Sequence, residues 1–404
     1  MNDWFLVGSS NNPNWLTEYK VNGGLLVKGA VRAAPTNTDS DRHTLHPNGS
    51  LVIATAVGGP HPRAYAADID PPSGEVISAG QMAIDSNLSF GNCFPSGFSE
   101  SSGLFMLIRG RQFSANSFSI QLGSGTFSEG FSSEGTHSIP GVSGGFRSGD
   151  ISPSGNRAAF VQSGTSTSRM LFYYDIQDGI FTQLDSKQLA QFEDGQVQWV
   201  NESRFVVISS IATRLYDVSN GSIQEVGSTT YAQKSNQQNF RVTKWNNRFC
   251  VGTINDEAFV LGVSGDDIEI ITTISDPATR GISFSFSGSY LVTCGGDTVR
   301  LWGWNNGDPT LLDTDDISGA TLWSVMAPRP LTDPPPTPEQ TFRATFPDAS
   351  GRKQSYPKIL RTGSKQNELF QLNNALRKLY GELIELDTRY ATLLSTYQAL
   401  KSPR

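Results

Sequence analysis

Along the first 326 positions, short runs of apolar and β-branched residues recur, each closed by Gly, Asn, Asp, Ser or Pro. Runs of this kind predict strands joined by tight turns. The clearest group reads Gly281-Ile-Ser-Phe-Ser-Phe-Ser-Gly288, Tyr290-Leu-Val-Thr-Cys294, Val299-Arg-Leu-Trp302 and Thr310-Leu-Leu312, with Gly295-Gly-Asp297 and Asn305-Asn-Gly307 between strands. It predicts four strands, A to D.

Weaker copies of the group precede it. They carry Leu45-His-Pro-Asn-Gly49 with Leu51-Val-Ile-Ala54 and Tyr65-Ala-Ala-Asp68, then Phe94-Pro-Ser-Gly97 with Leu104-Phe-Met-Leu-Ile108, the most divergent pair. Next come Ile151-Ser-Pro-Ser-Gly155 with Phe172-Tyr-Tyr-Asp175, Phe205-Val-Val-Ile208 with Arg214-Leu-Tyr-Asp217, and Trp245-Asn-Asn247 with Phe259-Val-Leu261. A repeat of this length with several strands per unit is the pattern of a propeller. The two ends supply one more unit: Trp4 to Val7, Leu16 to Tyr19 and Leu25 to Val27 read as strands B, C and D, and Ala320 to Met326 as their missing strand A. Pairing the ends would close the ring and remove exposed strand edges.

The clearest unit resembles a WD40 repeat. The likeness rests on the Phe286-Ser-Gly288 turn, the Gly-Gly-Asp297 turn, and Thr298-Val-Arg-Leu-Trp302, which ends where that family's Trp-Asp dipeptide begins. Gly303 replaces the Asp, and no Gly-His dipeptide precedes the A strands. The resemblance implies an all-β, seven-bladed β-propeller over residues 1–327, closed by shared N- and C-terminal strands, and implies no particular partner.

Beyond Met326 the pattern changes twice. Ala327-Pro-Arg-Pro-Leu-Thr-Asp-Pro-Pro-Pro-Thr-Pro338 predicts an extended spacer. With the basic stretch that follows, the linker spans 328–363. From 364 to 404 a 3-4 alternation of Leu369, Leu372, Leu376, Leu379, Leu383, Leu386, Tyr390, Leu393, Tyr397 and Leu400 predicts an α-helical coiled coil. It would make a homo-oligomer, with Tyr at two a positions favouring a trimer over a tight dimer. Folding back on the propeller is the alternative.

Charge sharpens this division. Residues 339–404 hold 11 Lys and Arg against 6 Asp and Glu, so the rest of a chain of net charge −7 is strongly acidic. An acidic body argues against nucleic-acid binding, while the basic linker or the tail could dock on another assembly protein. No long apolar run predicts a membrane span. Met1-Asn-Asp-Trp-Phe-Leu-Val-Gly8 shows no secretory leader. Cys93, Cys250 and Cys294 are read as core residues in a reduced compartment.

Chemistry is sparse by motif. His43, His46, His61 and His137 show no metal-ligand spacing, so neither metal nor cofactor is expected. Gly141-Val-Ser143-Gly-Gly145 fits a nucleophile elbow but lacks the strand and helix that give that motif meaning. Long connections at 31–41, 58–63, 110–116, 123–146, 164–167 and 231–239 fall on the B–C and D–A side and predict a recognition face there. Its polar or aromatic candidates are His61, Arg63, Arg111 and Tyr231.

The expectation is therefore a protein that is not an enzyme. It would be a structural and binding component of a virion, such as a phage tail or capsid appendage, presenting a propeller on a multimeric stalk. A cytoplasmic WD40-type scaffold is the alternative, and a propeller enzyme acting on carbohydrate or peptide a third reading.

Overall fold

The structure is a computed structural model, and it describes residues 3–330, apart from connecting stretches such as 34–39, 57–62, 82–91, 111–117, 140–145, 163–168 and 235–239, together with 343–347 and 353–357. Two compact units divide the chain, residues 1–334 and 335–404. Every regular element among the described residues is a strand. In the second unit these are β29 (Arg343–Pro347) and β30 (Lys353–Pro357), paired as one hairpin. The residues of the expected coiled coil, Leu369 to Leu400, lie outside the described residues.

The first unit contains seven four-stranded antiparallel sheets among the described residues. Six are consecutive meanders: β4 to β7 (40–81), β8 to β11 (92–139), β12 to β15 (146–188), β16 to β19 (196–230), β20 to β23 (241–274) and β24 to β27 (281–316). The remaining sheet joins the ends in the order β28-β1-β2-β3, where β28 (Leu322–Met326) lies against β1 (Trp4–Ser9), and β2 (Leu16–Asn22) and β3 (Leu25–Arg32) follow. Leu6 pairs with Met326 and Val7 with Val325. The first strands of the sheets touch in cyclic order: β4, β8, β12, β16, β20, β24, β28 and again β4.

Burial explains the hydrophobic pattern. A second strand such as β17 (Arg204–Ile208) or β21 (Arg248–Gly252) is buried at nearly every position, because its sheet is covered on both faces. Fourth strands such as β27 (Asp308–Asp316) are largely exposed. On β1 the period of two sends Trp4 and Leu6 to a core shared with Val52 and Tyr65, while Phe5 and Val7 enter the next core with Val292 and Leu301. In all seven sheets the third and fourth strands slip register once, as at Leu301/Trp302, Val260/Leu261 and Leu215/Tyr216. Such bulges bend and twist the outer edge.

One local expectation is corrected. The stretch 123–146 is not one long loop, since it contains the end of β10 (Phe118–Thr126) and all of β11 (Gly130–Ile139). Gly and Ser hide that strand from a hydrophobicity pattern, and backbone pairing with β10 makes it. In the most divergent copy, Phe94-Pro-Ser-Gly97 runs inside β8 (Asn92–Phe98). A Cβ on Gly97 would overlap the Asp150 carboxylate, so the glycine admits a neighbouring sheet's side chain.

Candidate functional site

The seven first strands enclose a cavity of about 170 Å³. An apolar cavity of comparable volume, about 150 Å³, holds a benzene ring. Here the lining is charged.

At the end where first strands turn into second strands, four ionisable side chains converge. Glu100 follows β8, Asp150 is near the end of β12 (Phe146–Ile151), Lys244 is on β20 (Arg241–Trp245), and Arg329 lies just past β28. Arg329 Nη1 donates to Glu100 Oε1 at 2.5 Å, and Lys244 Nζ lies 3.7 Å from the same oxygen while donating to Val200 O at 3.0 Å. The Glu100 and Lys244 side chains are each only 5% exposed. Asp150 accepts Trp199 N–H on Oδ2 at 2.9 Å and Ile151 N–H on Oδ1 at 3.0 Å. The Trp199 bond ties β12 to β16 (Gln196–Asn201).

Desolvation dominates this electrostatics. Burial pushes the Asp150 carboxyl up to about 7 against the opposing pull of Trp199 N–H and Lys244. Burial, reinforced by Arg329, brings the Lys244 ammonium down to about 7. Burial thus works against the charged form of both an acid and a base in one cavity, and groups so perturbed suit proton transfer.

The segment after β28 packs at this end. Arg329 N–H donates to Pro47 O at 2.9 Å, and a Cβ on Gly49 would touch Pro328 at 3.1 Å. Further along the channel, His43 Nδ1 and Ser324 Oγ share a 3.0 Å hydrogen bond. Burial, with Arg241 nearby, lowers the His43 imidazolium to about 3, so the ring is neutral and a weak base. That argues against a nucleophilic serine. His46 points elsewhere, to Asn48 and the edge of Phe98.

Of the four residues expected on a recognition face, His61 and Arg111 lie outside the described residues, and Arg63 is the first residue of β6 (Arg63–Asp70). Tyr231 packs on Phe259 and its hydroxyl donates to Ser209 O at 2.7 Å, so it fastens a core and does not line the channel. Of the four side chains, only that of Tyr231 falls among the described residues. The channel residues carried one weak signal in the sequence, charged residues such as Asp150 and Lys244 inside strands that should be buried. Their convergence from distant repeats is invisible to spacing.

No protein-family model matches the chain, and no curated protein matches it. Solved structures do. A putative 6-phosphogluconolactonase from Bacteroides fragilis superposes with a TM-score of 0.61 at 11% identity, covering 80% of this chain and 97% of that one. The periplasmic gluconolactonase of Pseudomonas aeruginosa gives 0.57 at 14% identity, over 81% and 99%. A β-propeller domain from Myceliophteria thermophila, of the WD40 kind, gives 0.51 at 11% identity, over 74% and 92%. The expectation that the chain is not an enzyme is corrected by this finding, because propellers named as lactonases share its fold. At such identities the likeness extends to the fold alone: the first 330 residues adopt the all-β architecture of the β-propellers.

Proposed function

We propose that the seven sheets are the blades of one closed propeller and that the protein works through its central channel, taking there a small polar ligand about the size of a single ring. Closure is supported by the β28 to β1 pairing and the cyclic contacts of the first strands. It is supported also by bonds across the seam, where Tyr19 Oη donates to Asp315 at 2.7 Å and Leu26 N–H to Asp313 at 2.8 Å. The observation that carries the channel reading is the convergence of Asp150, Lys244, Glu100 and Arg329 on one cavity. Burying charges costs several kcal/mol each, which packing alone would avoid, and such clusters mark functional sites.

The chemistry these groups suit is hydrolysis of a lactone or simple ester. Asp150 would accept a proton from water as that water adds to the carbonyl, and Lys244 would stabilise the oxyanion. The ring C–O bond then breaks and its oxygen takes the proton, leaving a hydroxy acid. Glucono-δ-lactone is the first compound to test, by following acid release. Lys244→Met keeps the packed stem and removes the charge, and it should lower any turnover by about a hundredfold. Wild-type release no faster than the spontaneous rate, with no ligand-induced rise in melting temperature, would remove the hydrolytic reading.

The unbroken heptad supports a second proposal, that a multimeric stalk carries the propeller as a virion appendage. Leu379→Glu with Leu383→Glu would bury like charges in the seam. Light scattering should show oligomers converted to monomers with the propeller's melting unchanged. A wild-type protein already monomeric at micromolar concentration would discard the stalk.

A further inference from the structure

The other mouth of the channel has its own chemistry. Arg241 opens β20, Arg280 immediately precedes β24 (Gly281–Phe284), and Trp323 is second on β28, so three neighbouring blades bring these side chains to the starting ends of their first strands. The Arg280 guanidinium carbon lies 4.3 Å from the Trp323 ring centroid and that of Arg241 5.5 Å. Two cations therefore share one indole. Stacking holds a guanidinium by its face and leaves its N–H edge available for an acceptor in the plane. Arg280 forms no ion pair among the described residues.

Three donors on two of these blades lack an acceptor among the described residues. Arg280 Nη1, Trp323 Nε1 and the hydroxyl of Thr279, a fully buried residue, are each shielded from solvent and have no hydrogen-bond partner among the described residues. A buried N–H with nothing to donate to costs about 1 to 3 kcal/mol. Here two of the three belong to the stacked Arg280 and Trp323 pair, one of them on a cation. They need oxygens, and the charge calls for anionic ones.

We propose that this mouth binds the carboxylate of a small organic acid, with Arg280 taking both oxygens through its fork, Trp323 adding its indole N–H, and Arg241 supplying the second positive charge. A planar, bidentate fork fits a carboxylate in both charge and spacing. Arg241 also lines the cavity, so the acid would sit at the entrance of the channel. The inference goes beyond the channel proposal and does not depend on hydrolysis.

Calorimetric titration of the full chain with gluconate tests it, with neutral glucono-δ-lactone and inorganic phosphate as comparison probes. Gluconate should bind, Arg280→Gln should weaken it by about tenfold or more, and Arg280→Lys should restore only part, since a point charge cannot form the fork. Trp323→Phe keeps the ring and removes one donor. It should weaken gluconate by about fivefold, and it stands in should Arg280→Gln fail to fold. Equal affinity in wild type and both variants would overturn the site, as would no binding of gluconate at all. Phosphate bound more tightly than gluconate would overturn the carboxylate assignment. An affinity lost in Lys244→Met but kept in Arg280→Gln would refute the mouth while sparing the channel.

Discussion

His43 illustrates what burial does to a single side chain. The residue is only 8% exposed, and its ring lies near Trp15 and shares a hydrogen bond with Ser324. Its folded value of about 3 lies below the ordinary 6.5, so the folded state prefers the neutral ring. The stability this gives is fully present above pH 6.5 and is lost as pH falls from 6.5 toward 3. With about 1.4 kcal/mol per unit, the loss reaches several kcal/mol by the bottom of that window. His46 is shifted in the same direction, again chiefly by burial. Urea titrations of wild type and His43→Gln at pH 7 and pH 4.5 should show a clearly smaller drop for the variant. An identical drop would mean that another group controls the acid limb.

Elements show where reading the chain succeeds and where it stops. Most of the meanders announce themselves because their second strands are largely apolar and their turns carry Gly or Asn, as in β25 (Tyr290–Gly295) after Ser287-Gly288. Gly288 has a φ of 72°, and a Cβ there would strike Trp245 of the preceding sheet, so the turn glycine also serves packing between sheets. That second role has no pattern of its own. Neither do β11, made by pairing where side chains are Gly and Ser, nor the bulges repeated between third and fourth strands. The channel was legible only as charges out of place in Asp150 and Lys244. Gly97 follows the same logic and gives a prediction at this scale. Gly97→Ala would push a methyl into Asp150, the residue that ties β12 to β16 through Trp199 N–H. One of the two strands must move, and overpacking of this kind costs about 1 to 3 kcal/mol. A denaturant midpoint equal to wild type would show that β8 bends away at no cost.

At the scale of the whole molecule, the proposed closure makes a short strand decisive. β28 is five residues long, yet Leu322, Val325 and Met326 are each at most 3% exposed and serve two cores, one shared with Val292 and Leu301 and the other with Val52 and Tyr65. Burying three such side chains contributes about 5 to 9 kcal/mol. That approaches the total stability of a typical domain, about 5 to 15 kcal/mol. Removing β28 also strips β1 of its inner partner and leaves β24 and β4 without the neighbour between them. The apolar β1 edge so exposed is a site for association. Deleting residues 320–404 should therefore give an aggregating protein without a cooperative melt. Deleting only 339–404 retains β28 and Arg329, whose contacts with Glu100 and Pro47 all lie within the first unit. That shorter chain should melt within a few degrees of the full protein. A soluble monomer with a sharp transition from the longer deletion would mean that six blades hold together unaided, and the closed ring would have to be given up.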